Sequence, residues 1–154
     1  MTAHIVKSFD QDLAALDQAI AEIGGLAEGL LVEAVAALER HDPKRAEAAV
    51  ASDALIDSLE SGLQEQAVQM IARRQPMAND LRHVMTVIKI AAGLERIGDL
   101  AKNIGKRVMV IAHETAPKSV LAGLNHMTEL AVAQLKDVLD AYATRDAEKA
   151  MAVW

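Results

Sequence analysis

No cysteine occurs among the 154 residues, which excludes disulfides, thiolate metal sites and cysteine nucleophiles. Aromatic side chains make up only 2% of the chain, although 52% of it is hydrophobic. The apolar mass is therefore Ala, Leu, Ile, Val and Met, which suits close helix–helix contact better than an aromatic-rich sheet core. Three prolines and eight glycines leave little turn-forming material, so turns are few and elements long. No run approaches the ~18 uninterrupted apolar residues of a membrane-spanning helix. Residues 1–10 also lack the basic-then-apolar layout of a secretory signal, so a cytoplasmic location is expected. With 16 basic against 22 acidic residues, the net charge is −6. That balance argues against nucleic acid, whose phosphates need a basic surface.

What is present reads as four long periodic segments. In residues 4–41, Leu13, Leu16, Ile20, Ile23, Leu30, Ala34 and Leu38 recur at helical spacing. Gly24 and Gly25 weaken the middle of this segment, where a bend is expected. Asp42-Pro43 closes it and opens the next, with Asp42 as cap and Pro43 in a first turn that needs no N–H donor. Residues 43–74 carry Val50, Ile56, Leu59, Leu63, Ala67 and Met70, and stop at Gln75-Pro76. The third segment starts near Met77 or Asp80 and runs to about Glu114. Its strip of Ile90, Leu94, Ile97, Ala101, Ile104, Val108 and Ile111 predicts a coiled-coil-like seam. Residues 118–144 form the fourth.

The end of the chain repeats its beginning. At an offset of 104 residues, Leu26, Ala27, Leu31, Ala37, Asp42, Ala46 and Ala48 recur as Leu130, Ala131, Leu135, Ala141, Asp146, Ala150 and Ala152. Alanine matches carry little weight, but both aspartates stand where one helix gives way to the next. The expected architecture is all-α: an antiparallel three-helix bundle over 1–116, then the start of a second repeat over 117–154, incomplete at the chain end. On that reading the chain is a fragment, and Leu121, Leu124, Leu135, Val138 and Leu139 form an uncovered strip that pairs with another copy.

The candidate chemistry lies in Leu94-Glu95-Arg96-Ile97-Gly98-Asp99. Glu95 and Asp99 leave the same helix face one turn apart, nearly opposite the Ile90–Ile111 strip. Like charges at this spacing repel, and a hard cation shared between them reverses that cost. Gly98 leaves room for a close neighbour. The plainer reading is a solvated face balanced by Arg96, Lys102 and Lys106. Asp53, Asp57 and Glu60 line one face of the second segment, with solvated surface as their ordinary role, as capping is for Asp80. The five histidines show no partner at zinc-like spacing, and no Glu-x-x-His is present, which tells against a ferritin-like di-iron oxidase.

The run Ala72-Arg73-Arg74-Gln75-Pro76-Met77-Ala78-Asn79-Asp80-Leu81-Arg82, followed by Leu94-Glu95-Arg96-Ile97-Gly98-Asp99, resembles the PhoU family, as do Met70-Ile71 and Asn103-Ile104. The resemblance implies two tandem three-helix bundles, each with an acidic Glu/Asp-x-x-x-Asp motif on its third helix; the second motif is absent here. It implies a negative regulator of the phosphate starvation response, not an enzyme. Such a regulator links the ATPase subunit of the phosphate transporter to a sensor histidine kinase. It is commonly dimeric and peripheral to the membrane. It also implies a divalent or multinuclear metal, iron or zinc, on the acidic face. Glu95 and Asp99 map to the first motif, and Asp80 and Asp53 fall at family-typical acidic positions. Arg96, Arg82 and Lys102 are candidate partner contacts. The rival readings are a metal-dependent carboxylate enzyme and a helical scaffold without metal.

Overall fold

A computed structural model describes residues 2–111, 114 and 117–154, with side chains from residue 9 onward. Five helices follow one another: α1 (Thr2–Glu39), α2 (Pro43–Arg74), α3 (Asn79–Ile111), α4 (Lys118–Thr144) and α5 (Ala147–Val153). No strand occurs among the described residues. No helix there is long and apolar enough to cross a membrane. The segment boundaries at Pro43, Arg74, Lys118 and Thr144 are those expected. The end of the third segment near Glu114, and His113 within it, fall where residues 112, 113, 115 and 116 lie outside the described set.

Helices α1, α2 and α3 pack mutually into an antiparallel bundle. Its core takes Leu16, Ile20, Ile23, Ala27 and Leu30 from α1, Ile56, Leu63, Ala67 and Met70 from α2, and Val84, Val87, Ala91, Leu94 and Ala101 from α3. Burying each large aliphatic side chain contributes roughly 1.5–3 kcal/mol against the entropy of ordering the chain. A smaller cluster of Ala37, Ala46 and Val108 lies at the α1–α2 end.

The buried line of α3 differs from the isoleucine strip. It runs through Ala91, Leu94, Gly98, Ala101, Gly105 and Val108, while Ile90, Ile97, Ile104 and Ile111 are only partly buried beside it. The cause is steric. A Cβ on Gly105 would stand 2.9 Å from Val50 Cγ2 and 3.3 Å from the Ala46 carbonyl oxygen, so α2 lies too close for a larger side chain. Small residues mark the contact and the isoleucines flank it.

Helix α1 runs through Gly24 and Gly25 without interruption. Gly24 instead makes a notch for α4, since a Cβ there would meet Leu139 Cδ1 at 2.5 Å. Helix α4 rests on α1, and α5 folds back on α4. Leu135 and Leu139 of the expected strip therefore face α1. The exposed apolar residues of α4 are Val120, Met127, Leu130 and Val138.

The α1–α2 turn recurs between α4 and α5. His41 and Arg145 both take left-handed backbone, φ 50° and 55°. The Asp42 and Asp146 amides donate to Ala37 and Ala141 carbonyls, each at 2.9 Å. Asp42 then caps α2 by accepting from the Arg45 amide at 3.0 Å, and Asp146 caps α5 by accepting from the Lys149 amide at 2.9 Å. All these pairs are related by the 104-residue offset.

Candidate acidic ledge between the second and third helices

Asp53 departs from the plainer of its two sequence readings. Instead of solvated surface it is buried, 2% exposed, on the α2 line that faces α3. Gly98 permits this, because a Cβ there would lie 3.0 Å from Ile56 Cδ1 and 3.3 Å from Asp53 Oδ1. A buried carboxylate needs a counter-charge or a proton, and Lys102 supplies the charge. Reaching from the next turn of α3, its ammonium donates to Asp53 Oδ2 and also to Asp99 Oδ1. The two carboxylates hold the Lys102 pKa far above its ordinary value. Asp53 Oδ1 remains buried with no hydrogen-bond partner.

Glu95 and Asp99 sit on the outer edge of this pair, both partly buried. They are on the shoulder of α3 beside α2, not opposite the core, because the core line is rotated toward Gly98. Burial is the main reason that the Glu95 carboxyl lies above its usual range, followed by the Asp99 charge and more distant Asp57 and Glu60. Asp99 moves the other way, held down first by its bond from Lys102. Two carboxyls one turn apart are thus displaced in opposite directions, Glu95 upward by burial and the Asp99 charge and Asp99 downward by Lys102.

Lys102 joins Asp53 to Asp99, and Glu95 neighbours Asp99. Asp80 stands apart: it is exposed in the first turn of α3, 15 residues and therefore about 22 Å along the helix from Glu95. Arg82 is about 25 Å from Asp99 by the same measure and belongs to a different feature. Arg96 is exposed beside the ledge, while Lys102 is bound within it. For a hard cation the donor chemistry fits: all-oxygen ligands, one of them an orphaned buried oxygen. Among the described residues no three acidic or histidine side chains close on one point; the place between Asp53 and Asp99 holds the Lys102 ammonium.

A second feature escaped the sequence reading. Asp17 of α1 bonds His83 Nε2 of α3 at 2.7 Å and accepts from the Tyr142 hydroxyl of α4. The His83 and Tyr142 rings meet edge to face, centroids 6.4 Å apart. Burial first, and the Asp17 carboxylate second, raise the Tyr142 pKa. This joint lines a cleft of about 710 Å³ that also takes Arg82 and Arg145. Its members are 66 and 125 positions apart, with no local pattern to reveal them.

A model of the family described as PhoU domain matches residues 20–108, most of the α1–α3 bundle. The chain is 46% identical over 151 residues to the phosphate-specific transport system accessory protein PhoU homolog of Rhizobium meliloti, covering 98% of this chain and 64% of that protein. The corresponding Caulobacter vibrioides homolog is 43% identical over 154 residues, covering 100% and 67%. PhoU from Pseudomonas aeruginosa superposes with a TM-score of 0.87 at 30% identity, over 94% of this chain and 69% of that one. The chain thus spans about two thirds of the length of these relatives. A matching family core, relatives near half identity and a shared three-helix fold together establish that the chain belongs to the PhoU family, whose members are regulatory accessory proteins and not enzymes.

Proposed function

We propose that the chain serves as a negative regulator of phosphate uptake and of the phosphate starvation response. It acts as a cytoplasmic adaptor between the ATPase subunit of the phosphate transporter and a sensor histidine kinase. The observation that carries this reading is the 46% identity, across 98% of the chain, to a protein named for phosphate-specific transport. An adaptor works by differential affinity for its partners' states, and the chain offers surfaces suited to that. Arg96 and the outer edge of the ledge are accessible on α3, and Arg82 and Arg145 flank the cleft. Arg82 of the cleft lies about 25 Å along α3 from Asp99 of the ledge, so the two charged surfaces are distinct.

Asp53, Glu95 and Asp99 would hold a divalent cation, which would supply positive charge to an otherwise acidic face. Exposed Val120, Met127, Leu130 and Val138 on α4 support self-association. A light-scattering mass that stays monomeric at all concentrations overturns that part.

The regulatory role is tested in cells lacking their own PhoU protein and carrying a phosphate-responsive reporter. Expression of this chain is expected to restore repression in high phosphate. An expressed, folded chain that leaves the reporter fully on overturns the reading.

A further inference from the structure

Lys102 stands where a bound cation would stand. Its ammonium bridges a carboxylate of α2 and one of α3, 49 and 3 positions away in the chain. Lysine is usually a poor choice for a buried contact, because its stem loses rotamer freedom and its charge is strongly hydrated. Here the side chain is only 20% exposed, against 3% for Asp53, so both charges have left much of their water. Asp53 is buried where α2 and α3 approach closely at Gly98. Its unpaired Oδ1 shows the bridge is incomplete, since an ammonium reaching Oδ2 leaves the second oxygen unserved. A divalent cation, coordinated by several oxygens at once, would serve the same carboxylates more fully. Both cannot occupy one position.

We propose that Lys102 is a resident cation that competes with divalent metal for Asp53 and Asp99, and so sets the metal affinity of the ledge. Metal entry then requires the ammonium to leave toward solvent, where Asn103 and Lys106 are exposed. Without metal, the lysine keeps the α2–α3 contact intact. The ledge holds its shape in both states, and its net charge differs between them. This deepens the cation-site reading above, and because it is read on purified protein it stands or falls apart from the regulatory role.

The test measures Mn²⁺ binding by calorimetry to the full chain, to Lys102→Met and to Lys102→Arg. Removing one positive charge a few ångströms from a divalent ion is expected to tighten binding at least about tenfold in Lys102→Met. Lys102→Arg, which keeps the charge, stays near the parent. Adding Asp99→Asn to Lys102→Met abolishes the gain. Equal affinity in the parent and Lys102→Met, or binding by neither, overturns the proposal. A second measurement needs no variant: acetylation of individual lysines by acetic anhydride, followed by mass spectrometry. In metal-free protein Lys102 reacts more slowly than Lys106, and saturating Mn²⁺ speeds Lys102 severalfold as the ammonium is released. Bound Mn²⁺ with unchanged Lys102 reactivity overturns it equally.

Discussion

Removing the Lys102 ammonium without metal present leaves Asp53 with no partner on either oxygen, and the cost follows from its burial. Breaking a buried ion pair by deleting one member typically costs about 3–5 kcal/mol, because the survivor keeps its desolvation penalty. Lys102 is a fifth exposed and Asp99 lies toward solvent, with 44% of its side chain accessible. Water can therefore follow the deleted lysine in part, and about 2–3 kcal/mol is the expected loss for Lys102→Met. Asp53→Asn removes the charge but keeps the shape, and leaves Lys102 on Asp99, so it costs about 1 kcal/mol. The double variant has no stranded charge. It should fall only about 1–2 kcal/mol below the parent, well short of the sum of the singles. Urea unfolding followed by circular dichroism at 222 nm, at pH 7 with chelator, reads these differences. The expected shift for Lys102→Met is about 1–1.5 M in midpoint, given slopes of a few kcal/mol/M at most. Refutation is simple: a single variant within about 0.5 kcal/mol of the parent, or strictly additive losses, would mean that no buried pair joins α2 to α3.

Other outcomes follow from the same geometry. Glu95→Gln should raise stability at pH 7 by a few tenths of a kcal/mol, the usual size of an i,i+4 like-charge repulsion. The folded chain holds more protons than the unfolded one between the ordinary glutamate value of 4.5 and the raised folded value. Stability therefore falls as pH rises through that window, and the Gln advantage should vanish below about pH 4 in a pH series of melts. Asp99, held low by Lys102, works oppositely: its contribution is present above its ordinary value of 3.8 and is lost on acidification through the lower folded value. Tyr142→Phe deletes the hydroxyl that serves Asp17 and should loosen α4 by about 1 kcal/mol, seen as faster amide exchange in α4 with α2 unchanged. Asp42→Ala removes the α2 cap and should lower the urea stability by about 1 kcal/mol. Gly105→Val forces α2 and α3 apart against Val50 and the Ala46 carbonyl, with an expected loss of about 1–3 kcal/mol or more in the same assay.

The helix ends were legible because their causes are local: Asp42 and Pro43 act within one turn, and Gln75 stops α2 by adopting a left-handed conformation before Pro76. The rotation of the α3 core line was not, because hydrophobicity points to isoleucines whereas the closest helix approach is made by residues with almost no side chain. Gly98 and Gly105 look like weak points of a helix until a neighbour is placed against them. The burial of Asp53 was missed for a related reason. Its spacing with Asp57 and Glu60 describes a solvated stripe, and only the lysine 49 positions away, held at Gly98, makes burial tolerable. Glu95 and Asp99 were visible as a pair, but the opposite displacement of their proton affinities depends on tertiary context, burial for Glu95 and that same lysine for Asp99. The Asp17–His83–Tyr142 joint needed three helices in place before any of it existed.

Among the described residues, helix α1 makes the main backbone contact between the two halves of the molecule, touching α2 and α3 on one side and α4 on the other. The His83–Tyr142 ring contact adds a side-chain link from α3 to α4. The native state is consequently layered. Detaching the α4–α5 hairpin exposes one side of α1, with Leu139 leaving its notch at Gly24, while the α1–α3 core keeps its closed packing. Such partial opening requires less free energy than global unfolding. The hairpin is therefore the part of the chain that breathes first, and the protein can change what it displays along α1 without melting the bundle that carries the ledge.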